Sequence, residues 1–358
     1  VSDKRGRFLG TGVGDPPRQE SPYLEHVSHA KAGIKAFPDR LYVITPISNP
    51  QRFRSRYELY RQFEKHVEEA GAVLFTVEMA FGGRAFEVTQ AGHQQHVQVR
   101  GSHVMWYKEN LINIGISRLP ADWQYVAWID ADVKFVREDW AQEALQQLQH
   151  HKIVQLWSQI QDVSPDYEQL RSAYPNSWCY NWLNGKSPIV LPGQDRCYPY
   201  PYPGGKGWYG PPGLGWAARR EAIDALGGLV DWAIVGSGDA YMAACLIGGV
   251  QYQLRKDYHP EFNRQFMLWQ DRAEKHIRRN IGYVPGLAIH YWHGKKSNRA
   301  YIDRNAIMVR HKFNPLTDLK RDWQGLWQLV DHGDLRSIRL RDELSNYFRT
   351  RNEDSIDF

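Results

Sequence analysis

Apolar positions recur along the chain with two different periods. Leu41-Tyr42-Val43-Ile44-Thr45-Pro46 is a short, nearly continuous apolar run, the pattern of a strand buried on both faces. Phe53, Tyr57, Tyr60, Phe63, Val67 and Ala70 then recur at helical spacing, with Gly71 as the stop, and Val73–Val77 is the next strand. This strand–helix–strand opening predicts a parallel sheet with helices on its faces. The same alternation continues: a helix over 108–118, an apolar strand from Tyr125 to Ile129, a helix over 138–148, and a strand over 153–157. Further on, helices are predicted near 216–226, 240–247 and 301–312, and a last strand over 284–289.

Three stretches break the alternation. Residues 1–38 are rich in Gly, Pro and charge without a sustained period, which predicts an arm. Residues 158–215 hold Trp178, Tyr180, Trp182, Tyr198, Tyr200, Tyr202, Trp208 and Tyr209 among many Pro and Gly. A long irregular segment inside a compact domain is usually functional, so this one is expected to be a flap, with packing against the sheet as the plainer alternative. Residues 314–358 are charged and are expected to form a peripheral extension. The organisation is therefore an arm, a single large α/β domain over 39–313 with an aromatic flap, and an extension.

Composition changes the picture in two ways. Aromatic residues reach 13% of 358 residues, with 14 Trp and 20 Tyr, and flat rings with polar tips suit stacking on sugars or bases. Cys179, Cys197 and Cys245 form neither a disulfide framework nor a zinc spacing, which points to a reducing compartment. A net charge of +5 tolerates a polyanionic partner without requiring one. With no visible leader and no apolar run of membrane-spanning length, the expectation is a soluble, cytoplasmic protein without membrane insertion.

The strand at 125–129 ends in Asp130-Ala131-Asp132. In an open α/β sheet ligands sit beyond the carboxyl ends of strands, and alternate carboxylates of an extended segment can converge on one point. Two hard oxygen ligands suit Mg²⁺ or Mn²⁺ carrying a diphosphate, although an Asp pair after a strand is also a common turn or cap. The strand at 284–289 runs into His290-Tyr291-Trp292-His293-Gly294, where imidazoles could complete a metal's coordination and Lys295, Lys296 and Arg299 could neutralise phosphate. A structural histidine is the alternative. Asp239, after Gly236-Ser237-Gly238, reads as a helix cap or as a general base for an acceptor hydroxyl. The Gly213-Leu214-Gly215 turn lacks the context of a dinucleotide fingerprint, and no Walker-type loop occurs.

In this order, the 41–45 strand, Asp130-Ala131-Asp132, Gly213-Leu214-Gly215-Trp216-Ala217, Gly236-Ser237-Gly238-Asp239 and His290-Tyr291-Trp292-His293-Gly294 resemble the nucleotide-sugar-dependent glycosyltransferases of the GT-A type, over residues 41–313. The chain is also similar to phage and bacterial members of the group, some of which modify hydroxymethylated DNA bases. The resemblance implies a Rossmann-like, mostly parallel sheet and a Mn²⁺- or Mg²⁺-dependent transfer from a nucleotide-sugar, a UDP-sugar first. It implies metal ligands among Asp130, Asp132, His290 and His293, donor contacts at Thr45, Asp130, Asp132, Lys295 and Lys296, and Asp239 as the base. Acceptor contacts are expected from Trp178, Trp182, Trp208, Tyr209 and Trp216, with a 5-hydroxymethylpyrimidine in DNA as the favoured acceptor. A glycan, lipid-linked sugar or protein acceptor is the first alternative, and a non-catalytic sugar- or nucleotide-binding module the second. Gly238-Asp239 stands where relatives carry an acidic pair.

Overall fold

The structure, a computed structural model, describes residues 39–168, 170–186, 210–301 and 303–356. The arm over 1–38 and the part of the flap that holds Cys197, Trp208 and Tyr209 lie outside the described residues.

The opening follows the predicted alternation: β1 (Leu41–Ser48), α1 (Arg54–Glu69) and β2 (Val73–Phe81). Next come β3 (His96–Gly101), α2 (Lys108–Ile116), β4 (Tyr125–Ile129), β5 (Val133–Phe135), α3 (Trp140–His150) and β6 (Ile153–Gln155). The flap region opens with regular structure, β7 (Gln159–Val163), β8 (Leu170–Tyr174) and the short α4 (Trp178–Leu183). After it come β9 (Gly215–Arg219), α5 (Arg220–Leu226), α6 (Gly238–Leu246) and α7 (Pro260–His276). β10 (Ile281–Tyr283), β11 (Leu287–His290) and α8 (Asn305–Arg310) lead to the extension, which is α9 (Pro315–Asp318), a β12 (Leu319–Arg321)/β13 (Trp327–Leu329) hairpin and α10 (Leu335–Arg349).

A seven-stranded sheet in the order β10-β6-β9-β4-β1-β2-β3 forms the framework, and all its pairings are parallel except the two made by β9. Alternate residues of β1 serve opposite faces. Tyr42 and Ile44 join one apolar cluster with α2, α5, α6 and α7, while Leu41 and Val43 join another with α1 and α3. The protein is thus a mixed α/β fold with a mostly parallel sheet between helices.

A second sheet, β5-β11-β7-β8, carries Asp162 and His290 on its strands. Its central pair, β11 and β7, is parallel, with β5 and β8 antiparallel at the edges.

Four expectations are corrected. The segment at 216–219 is a strand, because the buried, mostly small residues Trp216, Ala217 and Ala218 fit between β4 and β6. The flap is regular from 159 to 183 except between β8 and its neighbours, because alternating Gln159-Ile160-Gln161-Asp162 pairs with β11. The predicted last strand over 284–289 is the shorter β11 of the small sheet, and just before it the unpredicted β10 extends the large sheet. Finally, residues 314–356 are not peripheral. They belong to the same compact unit as residues 40–313, with Leu340, Leu344 and Tyr347 in the core and Asp318 gripped by Arg336.

Candidate functional site

The carboxyl ends of β1 and β4 open onto a cavity of about 1090 Å³. Pro46–Gln51, the end of β1 and the turn beyond it, and Asp130–Asp132 after β4 form one side, which is where strand ends of an open sheet present ligands. Asp239, His290, His293, Lys296, Arg299, Arg304 and Arg351 line the rest with Lys108 and Arg56.

Asp130 and Asp132 have different surroundings. Lys108 Nζ, from the first turn of α2, lies 2.6 Å from Asp130 Oδ1 and donates to Oδ2 at 2.8 Å. Burial pushes the Asp130 carboxyl up, Lys108 pulls it back, and Asp132 adds to the rise. Asp132 meets two imidazoles: His293 Nδ1 lies 3.1 Å from its Oδ2 and His290 Nε2 lies 3.9 Å from its Oδ1. Asp132 Oδ1 is buried and has no hydrogen-bond partner. A buried carboxylate oxygen without a partner is costly unless something positive completes it.

One ligand atom from each of Asp132, His290 and His293 falls within 4.8 Å of the others, a spacing that can hold a metal ion. Burial, followed by the charges of Arg299 and His290, holds the His293 pKa well below the usual imidazole range, so the ring is neutral as a ligand requires. The donor set of one carboxylate and imidazoles suits Mn²⁺ better than Ca²⁺.

Asp239 sits in the first turn of α6, but the cap position belongs to Ser237, a non-glycine residue at φ 70° whose hydroxyl accepts from Arg304 NH2 at 2.6 Å. Asp239 Oδ1 accepts from the Ala240 N–H at 2.8 Å. A side chain at Gly213 would put its Cβ 2.7 Å from Asp239 Oδ2, so glycine there is what lets the turn before β9 pass over this carboxylate.

The remaining predicted residues separate into two groups. Lys296 lines the cavity, but its Nζ is engaged by Asp162, by Tyr174 Oη at 3.2 Å and by Ser172 Oγ at 3.4 Å. Trp178 lines it too, although it is only 2% exposed. Lys295 and Trp182 are not among the lining residues, and Trp182 instead has the Arg279 guanidinium 6.0 Å from its ring centroid. Thr45 is fully buried and its hydroxyl donates to the Ile129 carbonyl at 2.9 Å, tying β1 to β4 rather than reaching a donor. Trp216 lies in the core with Nε1 donating to the Pro212 carbonyl at 2.7 Å, so no ring face is open to an acceptor.

Sequence reasoning missed several groups. Asp162 accepts from His290 Nδ1 at 2.7 Å, from Ser172 and from Lys296, and these donors carry its carboxyl far below the ordinary range against the effect of burial. Arg299, already singled out as a phosphate neutraliser, and the missed Arg304 and Arg351 are each at least nine-tenths buried, and each keeps at least one guanidinium N–H without a partner. Glu353 is 1% exposed and lies between Arg56, whose NH2 donates at 2.8 Å, and Arg351, whose Nε lies 2.8 Å away. Burial opposes its charge, but these two arginines bring its pKa down to about 2. Glu109, next to Lys108, is buried with its pKa pushed up to about 8 by desolvation, and accepts from Trp106 Nε1 at 2.9 Å. The alternation of Gln159–Asp162 was the one available signal, and it pointed to a strand, not to a function.

No family model matches this sequence, and no curated protein matches it. Among solved structures, the catalytic domain of Drosophila β1,4-galactosyltransferase 7 in complex with xylobiose is similar at 12% identity and a TM-score of 0.30, covering 61% of this chain and 63% of that one. The 4-diphosphocytidyl-2C-methyl-D-erythritol synthase of Anaerococcus prevotii is similar at 12% identity and a TM-score of 0.32, covering 69% of this chain and 89% of that one. S. aureus TarS 1–349 is similar at 11% identity and a TM-score of 0.33, covering 88% of each chain. The chain thus spans about 63% of the galactosyltransferase domain it matches. Likenesses this distant say nothing about the present site.

Proposed function

We propose that this cavity transfers a sugar from a nucleotide-sugar to a hydroxyl acceptor with the help of a divalent ion, as a hexosyltransferase of the GT-A type. The observation that carries the reading is Asp132 Oδ1, a buried oxygen without a partner that faces His290 at the mouth of a parallel sheet. The cluster of Asp132, His290 and His293 is where Mn²⁺ or Mg²⁺ would sit, with ligands from Asp132 and the imidazole side, and as a Lewis acid the ion would neutralise charge on a departing diphosphate. Arg56, Arg299 and Arg351 supply further positive charge on the same wall, of which Glu353 offsets only part. Lys108 holds Asp130 in place for the ribose or the ion. Asp239 is the group for taking the proton from an acceptor hydroxyl, since its carboxylate faces the same cavity from the positive end of α6.

For the acceptor, a 5-hydroxymethylpyrimidine in DNA is carried forward on one observation. Tyr252, 45% exposed, stands at the cavity with Arg255 and Lys256, a stacking face beside cations. Buried free thiols at Cys179 and Cys245 suit a reducing, cytoplasmic setting. No helix among the described residues is long and apolar enough to cross a membrane.

The test is a donor-by-acceptor screen read by mass spectrometry with Mn²⁺ and with EDTA, using UDP-sugars first. Hydroxymethylcytosine- and hydroxymethyluracil-containing DNA is set beside simple sugars and peptides. A metal-dependent mass gain on any hydroxyl acceptor supports transfer, and gain on DNA alone supports the DNA acceptor. Tight donor binding with neither transfer nor donor hydrolysis would favour the binding-module reading instead.

A further inference from the structure

The small sheet places four positions in one row. His290 on β11 is the register partner of Val133 on one side and of Asp162 on the other, and Asp162 is in turn the partner of Ser172 on β8. Neighbouring strands lie about 4.8 Å apart, and side chains at one level stand on the same face. Val133, His290, Asp162 and Ser172 therefore follow one another across the sheet. Asp132, just before Val133, meets His290 Nε2 at 3.9 Å, and Lys296 reaches in from the turn after β11.

The hydrogen-bond roles along this row are fixed by elimination. An ionised carboxylate only accepts, and Lys296 only donates. Asp162 Oδ2 takes Ser172 and Lys296, which leaves Oδ1 for His290 Nδ1 at 2.7 Å. Nδ1 must then carry the ring proton, and the lone pair of the neutral imidazole is on Nε2, the nitrogen that faces Asp132 Oδ1. His293 is arranged the other way. Its Nδ1 lies 3.0 Å from the Tyr291 carbonyl, which can only accept, and 3.1 Å from Asp132 Oδ2. A nitrogen donating its proton to those oxygens has no lone pair to offer there.

We propose that Asp162 is a positioning residue that fixes the tautomer and direction of His290, making His290 the imidazole ligand, while His293 steadies Asp132. The proposal rests on the metal-dependent reading above. Outer carboxylates of this kind typically change metal affinity by about 10–100-fold when removed.

The experiment reads metal binding without turnover: Mn²⁺ titration by electron paramagnetic resonance and the visible spectrum of the Co²⁺-loaded full chain. Asp162→Ala is expected to weaken Mn²⁺ by about 10–100-fold and to alter the Co²⁺ spectrum. Asp162→Asn, whose amide oxygen still accepts from Nδ1, is expected to recover most of the loss. Wild-type affinity and spectrum in Asp162→Ala would overturn the proposal, as would an Asp162→Asn protein no better than Asp162→Ala. Because either variant could fold poorly, the ¹⁵N tautomer of His290 in the metal-free wild type is a second measurement. A proton on Nδ1 is expected, and a proton on Nε2 would overturn the assignment. If the wild type takes up no divalent ion at all, the functional reading fails, and the tautomer measurement still decides what Asp162 does.

Discussion

The two sheets divide the work. The large sheet is a framework whose buried polar groups are satisfied by it or by the elements packed on it: Thr45 bonds the Ile129 carbonyl, Tyr60 of α1 meets Thr76, and Gln155 is held between the Pro211 carbonyl and the Cys179 N–H. The small sheet has short strands and carries charge inward, with Asp162 and His290 on its central pair and Asp132 at its margin. The large sheet's residues are interchangeable within the limits of volume and hydrogen bonding, whereas each polar residue of the small sheet has one partner it cannot lose. Substitutions should therefore change stability in one sheet and chemistry in the other.

The strongest test of that division is Asp132→Ala. Turnover should vanish and Mn²⁺ uptake with it, while the metal-free melting temperature stays near that of the wild type, because a buried carboxylate oxygen without a partner is being removed. Full turnover in the variant after EDTA treatment would break the comparison at its centre.

Asp239→Asn should lower turnover by about 10²–10⁴-fold with donor affinity kept. The amide can still accept from the Ala240 N–H, so folding should survive. Near wild-type turnover would leave Asp239 a structural turn residue.

Trp216→Ala probes the framework. A buried Trp replaced by Ala costs about 3–5 kcal/mol, so melting should fall sharply while the acceptor KM of the folded fraction is unchanged. A raised acceptor KM with normal melting would return Trp216 to the acceptor site.

Glu109, on the helix α2 that packs on the large sheet, has a folded-state pKa of about 8, above the ordinary 4.5. The folded state then binds the proton more tightly than the unfolded one, so this group leaves stability intact below about pH 4.5 and removes it progressively up to about pH 8. Urea midpoints of Glu109→Gln should decline less than those of the wild type across that window. Parallel profiles would show that Glu109 ionises freely in the fold.

The smallest effect is expected at Thr45→Val, which removes one buried hydrogen bond. A loss of about 1 kcal/mol is expected, with donor KM unchanged. An altered donor KM would mean that the end of β1 communicates with the donor.

The legibility of the sequence follows the same division. Strands β1, β2 and β4 and helices α1, α2 and α3 were readable because each has enough apolar residues at one period to be recognised. Asp130, Asp132, Asp239 and the two histidines stand out in the sequence because they follow apolar runs or glycine turns, and all five line the cavity. β9 escaped because Gly-Trp-Ala-Ala-Arg carries no alternation and leads straight into a helix. Asp162 and Glu353 escaped for another reason. Each sits among ordinary polar neighbours, and the partners His290 and Arg56 that mark them out lie 128 and 297 residues away.

Glu353 closes on Arg56, Asp354 accepts from the Arg54 and Ser55 N–H groups at the start of α1, and the Ser355 carbonyl takes Trp292 Nε1 at 2.7 Å. Gly294, at φ 88°, has no room for a side chain because the Asn352 carbonyl passes 2.9 Å from where its Cβ would be. Residues near 353 thus tie the start of α1 to the turn after β11. A ribosome making this protein from its amino end could assemble the large sheet early, but the wall beside Asp132 would stay unfinished until Ser355 had emerged. Nascent chains arrested before that point should be folded and protease-resistant over the framework while still unable to hold a divalent ion.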